Sequence, residues 1–199
     1  MATEKLDTEV RQEQILQAAL SLLARDGLER LSVAALARRV GLVPSALYRH
    51  FRNKDQIVDA VLALVRDRLV ENVRAVRDET PDALDRLRRL LARHLALVRD
   101  NQALTRVVFS GDVHSGRPAR RARMFAGIRA YLDKVAEIVN EGQTQGQIRP
   151  DVDPATVAQL FLGLIQPGAI LWHMSDGKFD VTLHAERGWQ VISEAIRTR

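Results

Sequence analysis

The fold of the N-terminal part of the chain is decided by residues 31–57, which read LSVAALARRVGLVPSALYRHFRNKDQI. Ser32 is a suitable N-cap for a short helix, and Gly41 suits the left-handed residue that ends it. Pro44 fits the first turn of a second short helix, because a proline is tolerated there and not deeper in a helix. Two short helices joined by a glycine-containing turn predict a helix-turn-helix.

Apolar residues at helical spacing provide a small core for this motif. They are Leu31, Val33, Leu36, Ala37, Val40, Leu42, Leu47 and Phe51. The positions of the second short helix that this core does not use, 44, 45, 48 and 49, share its outer face. A helix with such a face can enter the major groove of DNA, where its N-terminal residues meet base edges.

Four residues in this segment suit contacts with bases. Arg49 can form a bidentate pair of hydrogen bonds with guanine. Pro44 and Ala46 can contact a thymine methyl group, and the hydroxyl of Ser45 is compatible with several bases. We therefore expect this helix to recognise a sequence.

Three neighbouring side chains, those of Tyr48, His50 and Lys54, suit phosphate oxygens. The helix that begins at Lys54 would add the positive end of its dipole.

Two alternatives stay open from the residues alone. A glycine turn between helices also occurs in helical proteins that do not bind DNA, with Tyr48 packed at an edge, and His50 can bond a neighbouring backbone group.

The charge of the chain is concentrated in this region. The 199 residues carry a net charge of +5, and residues 25–54 contain seven basic residues against two acidic ones. A basic patch of this kind attracts polyanions such as nucleic acid. A second basic run, RPARRAR at residues 117–123, is best explained as a solvated helix start, although it could attract an anionic effector or the flank of the DNA.

The whole chain is predicted to be all-α, with about nine helices, because apolar residues recur at helical spacing throughout. Cap residues, prolines and glycines divide the pattern. The predicted helices cover about residues 10–25, 33–40, 44–51, 54–77, 81–99, 103–111, 119–140, 154–175 and 181–197. Asp26-Gly27 is expected to stop the first helix, and Thr80-Pro81 to cap and start the fifth.

Residues 31–62, LSVAALARRVGLVPSALYRHFRNKDQIVDAVL, closely resemble the DNA-binding region of the tetracycline-repressor (TetR) family. The matching features are the Leu-Ala pair at 36–37, Gly41 in the turn, LYRHF at 47–51 and NK at 53–54. The upstream stretch ILQAALSLLARDGLERLSV is similar to the first helix of that family. The resemblance covers about 50 positions, and only length and helical character match in residues 70–199.

The resemblance implies roles for individual residues. The position of Ser32 caps the second helix and touches phosphate, positions 44, 45, 46 and 49 face bases, and Tyr48, His50 and Lys54 hold the DNA backbone. Ala34 stands where some members carry a long side chain that contacts a base, so we expect that contact to be absent here.

The resemblance also implies a homodimer whose larger C-terminal domain binds a small molecule. The implied domains are a helix-turn-helix domain at 8–55 and an effector-binding and dimerisation domain at 65–199, joined through a helix at about 54–77. In the family the last two helices form the dimer. The residues agree, because residues 154–174 are too apolar all round for a helix with one wet face. Burial of this helix inside the monomer is the alternative.

A proline lies inside this apolar helix. Pro167 removes the backbone hydrogen bond to the carbonyl of Gly163 and should kink the helix. The kink could leave room for a ligand, or it could shape the dimer interface. Both possibilities stay open.

An effector pocket is expected among apolar and aromatic side chains with few polar groups, which is the usual composition of small-molecule sites. The candidates are His94, Phe109, Met124, Phe125, Tyr131, Phe161, Trp172 and His173. Each of them is also compatible with ordinary core packing. The scarcity of inward charges favours an uncharged or largely apolar effector.

Several classes of protein are disfavoured by the sequence. The chain has no cysteine, so it has no disulfide framework or thiolate metal site. Its first residues do not form a secretory signal, and no apolar run of about 18 residues is evident, so we expect a cytoplasmic protein without a membrane span. Asp112, His114 and Ser115 are too close in sequence to suggest a catalytic triad. We expect no catalytic site, metal site or cofactor.

Together these observations predict a ligand-responsive transcriptional regulator and, more specifically, a repressor. It would bind a palindromic operator as a homodimer and leave it when a small-molecule effector binds. The alternative is a small-molecule carrier in which the helix-turn-helix is incidental. A carrier would lack the steep salt dependence that phosphate contacts give to DNA binding.

Overall fold

The computed structural model of the chain describes residues 2–100 and 118–198. These residues form eight α-helices, and their only β-structure is one isolated antiparallel bridge between Ile148 and Arg197. The predicted all-α class is therefore confirmed, and eight of the nine predicted helices are present. The ninth, predicted at 103–111, lies outside the described residues.

The helices follow the predicted order with shifted ends. They are α1 (Ala2–Arg30), α2 (Val33–Arg39), α3 (Pro44–Tyr48), α4 (Lys54–Glu79), α5 (Ala83–Asp100), α6 (Pro118–Thr144), α7 (Pro154–Met174) and α8 (Val181–Ile196).

The predicted stop of the first helix at Asp26-Gly27 is wrong, because α1 continues through this pair to Arg30. A glycine inside a helix costs only about 1 kcal/mol relative to alanine. It ends a helix when it turns into the left-handed conformation, as Gly41 does with φ of 68°. The residues after Gly27 include leucine, glutamate and arginine, which are good helix formers and continue the helix.

The helix-turn-helix forms as predicted. The Ala35 N–H donates to Ser32 Oγ at 3.1 Å, which confirms Ser32 as the cap of α2. Pro44 is the first residue of α3, which ends at Tyr48, three residues before the predicted end. Six of the eight predicted core residues are buried, and Val40 and Leu42 are half-buried.

The start of α4 is capped in two ways. The Gln56 N–H donates to Asn53 Oδ1 at 3.0 Å, as predicted. The side chain of Gln56 reaches back to the N–H of Arg52, which donates to its Oε1 at 2.8 Å, one residue earlier than in a standard capping box. The two residues before α4, Arg52 and Asn53, are therefore hydrogen-bonded to its first turn.

The predicted start of the fifth helix at Thr80-Pro81 is wrong by two residues. The carboxylate of Asp82 caps α5, accepting from the Asp85 N–H at 2.7 Å. Thr80 Oγ1 instead accepts from the Asp82 N–H at 3.3 Å, ahead of the helix. Asp82 is the better cap because its carboxylate also interacts favourably with the positive end of the helix dipole.

Local signals mark the end of α6 and the start of α7. Thr144, four residues beyond the predicted end, closes α6, and Gly146 follows with φ of 72°. The carboxylate of Asp153 caps α7 as predicted. The helix then runs without interruption through Pro167 to Met174, and the kink at Pro167 stays a prediction.

Close packing divides the described residues into two units. The first contains residues 2–65 and 118–121, and the second contains 66–100 and 122–198. In the second unit α5, α7 and α8 pack around a core that includes the buried side chains of Leu87, Leu90, Phe161, Ile165 and Trp189.

One helix of the described residues, α7, could cross a membrane as judged by length and composition alone. The expectation that no such apolar stretch exists is therefore wrong. Val157, Phe161 and Ile165 are buried along one side of α7, which packs on α5 and α8. The other side of α7 is exposed and also apolar, and this accounts for its composition.

Replacing Gly142 with alanine is expected to destabilise the second unit by about 1–3 kcal/mol, because the core there has no space for a methyl group. A Cβ at this position would lie 2.7 Å from both Ala83 Cβ and Ile148 Cδ1. Gly127→Ala is the matched control on the same helix, where a Cβ would lie 3.5 Å from Arg66 Cδ, at an ordinary contact distance. Urea unfolding should show a loss for the first variant and none for the second.

Candidate nucleic-acid interface

The outer face of α3 carries the side chains predicted to contact bases. Leu47 and Phe51 are buried on the inner side, so the opposite side of the helix faces solvent. Pro44, Ser45 and Arg49 are exposed. Pro44 and Ser45 begin this five-residue helix, and Arg49 is the residue directly after its last residue, Tyr48.

The residues predicted to contact phosphate surround this face. Tyr48 is 52% exposed, while His50 and Lys54 are half-buried. Ala46, which was predicted to contact a base, is half-buried as well. Ser32 is exposed at the start of α2, and its oxygen accepts the Ala35 N–H. Its own hydroxyl hydrogen can still be donated to a phosphate oxygen.

Exposed arginines continue the positive charge around this surface. They are Arg30, Arg38, Arg39, Arg49 and Arg52. Arg39 also donates to Ser21 Oγ at 3.3 Å, which ties its guanidinium to α1. Such a surface gives affinity for phosphate that does not depend on base sequence.

Val43 is a residue that the sequence analysis missed. It caps α3 directly before Pro44 and is 64% exposed, which is unusual for a valine beside a small core. The sequence offered a signal for the exposure of Val43, because Leu42 and Leu47 already provide the apolar contacts next to the turn.

The second unit brings two of the predicted effector residues together. His94 Nδ1 lies 3.0 Å from Tyr131 Oη, and the two rings meet edge to face with centroids 5.4 Å apart. Both side chains are buried. Burial lowers the pKa of His94 to about 4 and raises the pKa of Tyr131, so both groups are uncharged at neutral pH.

The other predicted effector residues are divided between core and surface. Phe161 belongs to the same core as Tyr131, and Trp172 packs against it. Met124 and His173 are half-buried, whereas Phe125 is 66% exposed. Phe109 lies outside the described residues.

An open groove of about 290 Å³ lies elsewhere in the second unit, between α4 and α5. It is lined by Arg68, Glu71, Asn72, Arg93, Ala96, Leu97 and Asp100. None of the predicted effector residues lines this groove. Within residues 2–100 and 118–198, no group of three or more histidine, aspartate or glutamate side chains is placed to hold a metal ion.

The outer sides of α7 and α8 carry exposed apolar side chains. They are Leu160, Ile170, Leu171, Met174, Leu183 and Val191. The members on α7 recur every three or four residues, together with Gly163 and Pro167, and so form one stripe. An apolar stripe of this length on a surface helix is typical of an interface between proteins. We call these six side chains the α7–α8 outer face.

Comparison with known proteins decides the family. Residues 15–61 match the family described as bacterial regulatory proteins, tetR family. Residues 65–195 match the family described as YsiA-like protein, C-terminal region. The chain belongs to the TetR family. The resemblance seen in the helix-turn-helix therefore extends beyond residue 70, which corrects the expectation that only length and helical character match there.

A relative in Idiomarina loihiensis, the nucleoid occlusion factor SlmA, is 30% identical over 187 residues, which cover 94% of this chain and 95% of that protein. Among solved structures, a putative transcriptional regulator from Saccharomonospora viridis in complex with choline has a TM-score of 0.82 at 24% identity, covering 96% of this chain and all of that one. The transcriptional regulator FadR from Bacillus subtilis in complex with stearoyl-CoA has a TM-score of 0.77 at 21% identity, covering 94% and 100%.

Family membership fixes the general function. Members of the TetR family are DNA-binding transcriptional regulators and not enzymes, and this chain is therefore a transcriptional regulator of that kind. The two structural neighbours show the same fold and bind different ligands, so the fold alone does not assign an effector.

Proposed function

We propose that the protein is a cytoplasmic repressor that binds a palindromic operator as a homodimer and releases it when a small-molecule effector binds. The observation that carries this proposal is the outer face of α3. Pro44 and Ser45 are exposed in its first turn and Arg49 directly after its last residue, and the buried Leu47 and Phe51 anchor this segment. This is the arrangement by which a helix-turn-helix protein places side chains in the major groove.

Base contacts come from the first turn and the end of α3. Arg49 donates two hydrogen bonds to a guanine, and Ser45 bonds a neighbouring base edge. Pro44, Ala46 and the newly found Val43 contact thymine methyl groups. These five residues determine the preferred sequence.

Phosphate contacts come from residues at both ends of the motif. Ser32, Tyr48, His50 and Lys54 hold phosphate oxygens and fix the depth and direction of α3 in the groove. The positive end of the 26-residue helix α4 supports the contact of Lys54. Residues of this group strengthen binding to every sequence by similar factors.

The α7–α8 outer face joins two protomers. A two-fold dimer places its recognition helices about 34–36 Å apart, so that two half-sites one helical turn apart are bound together. This explains how a recognition helix of five residues gains useful specificity.

The effector binds in the second unit beside His94 and Tyr131. Both groups are neutral and already share a hydrogen bond. They can therefore form hydrogen bonds with a polar group of a ligand without placing a charge beside it. An uncharged or largely apolar effector fits this environment. By linkage, it must bind the DNA-free form more tightly than the DNA-bound form.

Replacing Arg49 with alanine is expected to weaken operator binding by about 1–3 kcal/mol and to relax the preference at one base position. Tyr48→Ala or Lys54→Ala should instead weaken binding to all sequences alike, because these residues contact the backbone. Selection of bound duplexes with each variant measures the difference. An unchanged preferred sequence for Arg49→Ala would show that Arg49 does not contact a base.

A second candidate function is that of a nucleoid occlusion factor, favoured by the 30% identity to SlmA along nearly the whole chain. Deletion of the gene distinguishes the two. Changed transcripts next to the binding sites support a repressor. Altered septum placement over the nucleoid without changed transcripts supports the second function. The carrier hypothesis has no support from the family comparison, because residues 15–61 match the model of bacterial regulatory proteins of the tetR family.

A further inference from the structure

Arg120 is the only charged side chain that is buried among the described residues. It lies in the first turn of α6, and its guanidinium spans two carboxylates of α4. Nε donates to Asp59 Oδ1 at 2.6 Å, and Nη2 donates to Asp55 Oδ1 at 3.0 Å. Nη2 also donates to the backbone carbonyl of Asp55 at 3.2 Å. All three residues belong to the first unit.

Arg120 offsets the repulsion between the carboxylates of Asp55 and Asp59. Asp55 and Asp59 are four residues apart, so they share one side of α4, where like charges repel. Their side chains are about one-third exposed, whereas that of Arg120 is 5% exposed. Arginine suits this position because its planar group donates in two directions at once, which the single ammonium of lysine cannot do.

The position of this cluster is the reason to connect it with DNA. Asp55 directly follows Lys54, and both lie in the first turn of α4, after the cap formed by Asn53. Lys54 and the helix end attract phosphate, whereas Asp55 and Asp59 repel it. Loss of Arg120 would remove one positive charge from this group and so make the surroundings of the proposed phosphate contact more negative.

We propose that Arg120 is a positioning residue for DNA binding, which holds the first two turns of α4 and offsets Asp55 and Asp59 so that Lys54 can bind a phosphate. The inference rests on the proposed contact of Lys54 and adds a residue that does not itself touch DNA. Phosphate contacts are independent of sequence, so the effect applies equally to operator and to other duplexes.

A double-mutant cycle between Arg120 and Lys54 tests the proposal. The full-length protein is titrated against a labelled mixed-sequence duplex of about 30 base pairs, which spans three helical turns, at low salt where phosphate contacts suffice for binding. Arg120→Ala and Lys54→Ala are each expected to weaken binding by about tenfold. The double variant should be no weaker than Arg120→Ala alone, because Lys54 has then already lost its contact.

Two variants make the cycle decisive. Arg121→Ala removes the same charge from the exposed neighbouring residue, and its effect should add to that of Lys54→Ala. Arg120→Lys keeps the charge but cannot span both carboxylates, so its loss of binding should lie between zero and that of Arg120→Ala. It serves in place of the alanine variant if that variant does not fold. Circular dichroism confirms that each variant is folded at the temperature of the titration.

The possible outcomes test the phosphate contact of Lys54 and the positioning role of Arg120 separately. If Lys54→Ala binds as tightly as the unmodified protein, the phosphate contact and the inference both fail. If Lys54→Ala weakens binding while the effect of Arg120→Ala is additive or absent, the contact of Lys54 stands and the positioning role of Arg120 is wrong. A coupled loss of about tenfold in all three variants supports the proposal.

Discussion

The Leu171→Glu variant is expected to be monomeric and to bind the operator more weakly by a factor of about 100 or more. Leu171 belongs to the apolar stripe on α7 and is 45% exposed in the single protomer. In a dimer formed through the α7–α8 outer face, a glutamate there would be buried without a partner charge, which is strongly unfavourable. A monomer contacts one half-site only and loses the gain from binding two at once.

Sedimentation measures the oligomeric state of the variant, and fluorescence anisotropy measures its affinity for the operator. Phe125→Glu is the matched control, because it introduces the same charge at an exposed apolar residue of α6, away from the stripe. The control should remain a dimer and bind operator normally in the absence of effector. A dimeric Leu171→Glu variant with unchanged affinity would place the interface elsewhere.

The second unit is expected to lose about 2 kcal/mol of stability when the pH falls from 7.5 to 5, because of His94. Burial lowers the pKa of His94 in the folded protein to about 4, compared with 6.5 for a histidine in water. Between these two values the unfolded chain binds a proton that the folded protein does not. The stability contributed by neutral His94 is therefore present above pH 6.5 and is lost as the pH falls toward 4.

Urea unfolding at both pH values measures this loss. Asp151 and Asp153 do not obscure it, because hydrogen bonds from Arg149 and Thr156 lower the pKa of these carboxyls and shift their effects to more acidic solutions. His94→Gln should be less stable at pH 7.5 but should lose little more at pH 5. His173→Gln, at a half-buried residue, is the control and should keep the full loss. An equal loss in His94→Gln would show that another group causes it.

The sequence predicted the structural elements whose signals are local. Ser32, Asn53 and Asp153 cap helices where expected, because their side chains act on amides within three residues. Asp26-Gly27 misled the prediction, since a glycine stops a helix only when the chain turns there. Thr80-Pro81 also misled the prediction, because a cap residue followed by a proline is a common helix start, whereas the carboxylate of Asp82 caps α5.

The candidate site was predictable only in part, for a physical reason. The outward side chains of α3 follow from helical spacing around Leu47 and Phe51. The contact of Arg120 with Asp55 joins residues 65 positions apart, and no periodicity reveals such a pair. His94 and Tyr131 were both expected in a pocket, but their hydrogen bond and their neutral state depend on burial, which appears only when the helices are packed.

The most direct test of the account is selection of bound sequences from random duplex DNA by the purified protein at about 150 mM salt, where weak phosphate attraction is screened. We expect a palindrome whose half-sites lie one helical turn apart, with a guanine in each half-site that is no longer selected by Arg49→Ala. Recovery of unselected sequences, with binding lost at this salt, would contradict the account, because it would leave only a general attraction to polyanions.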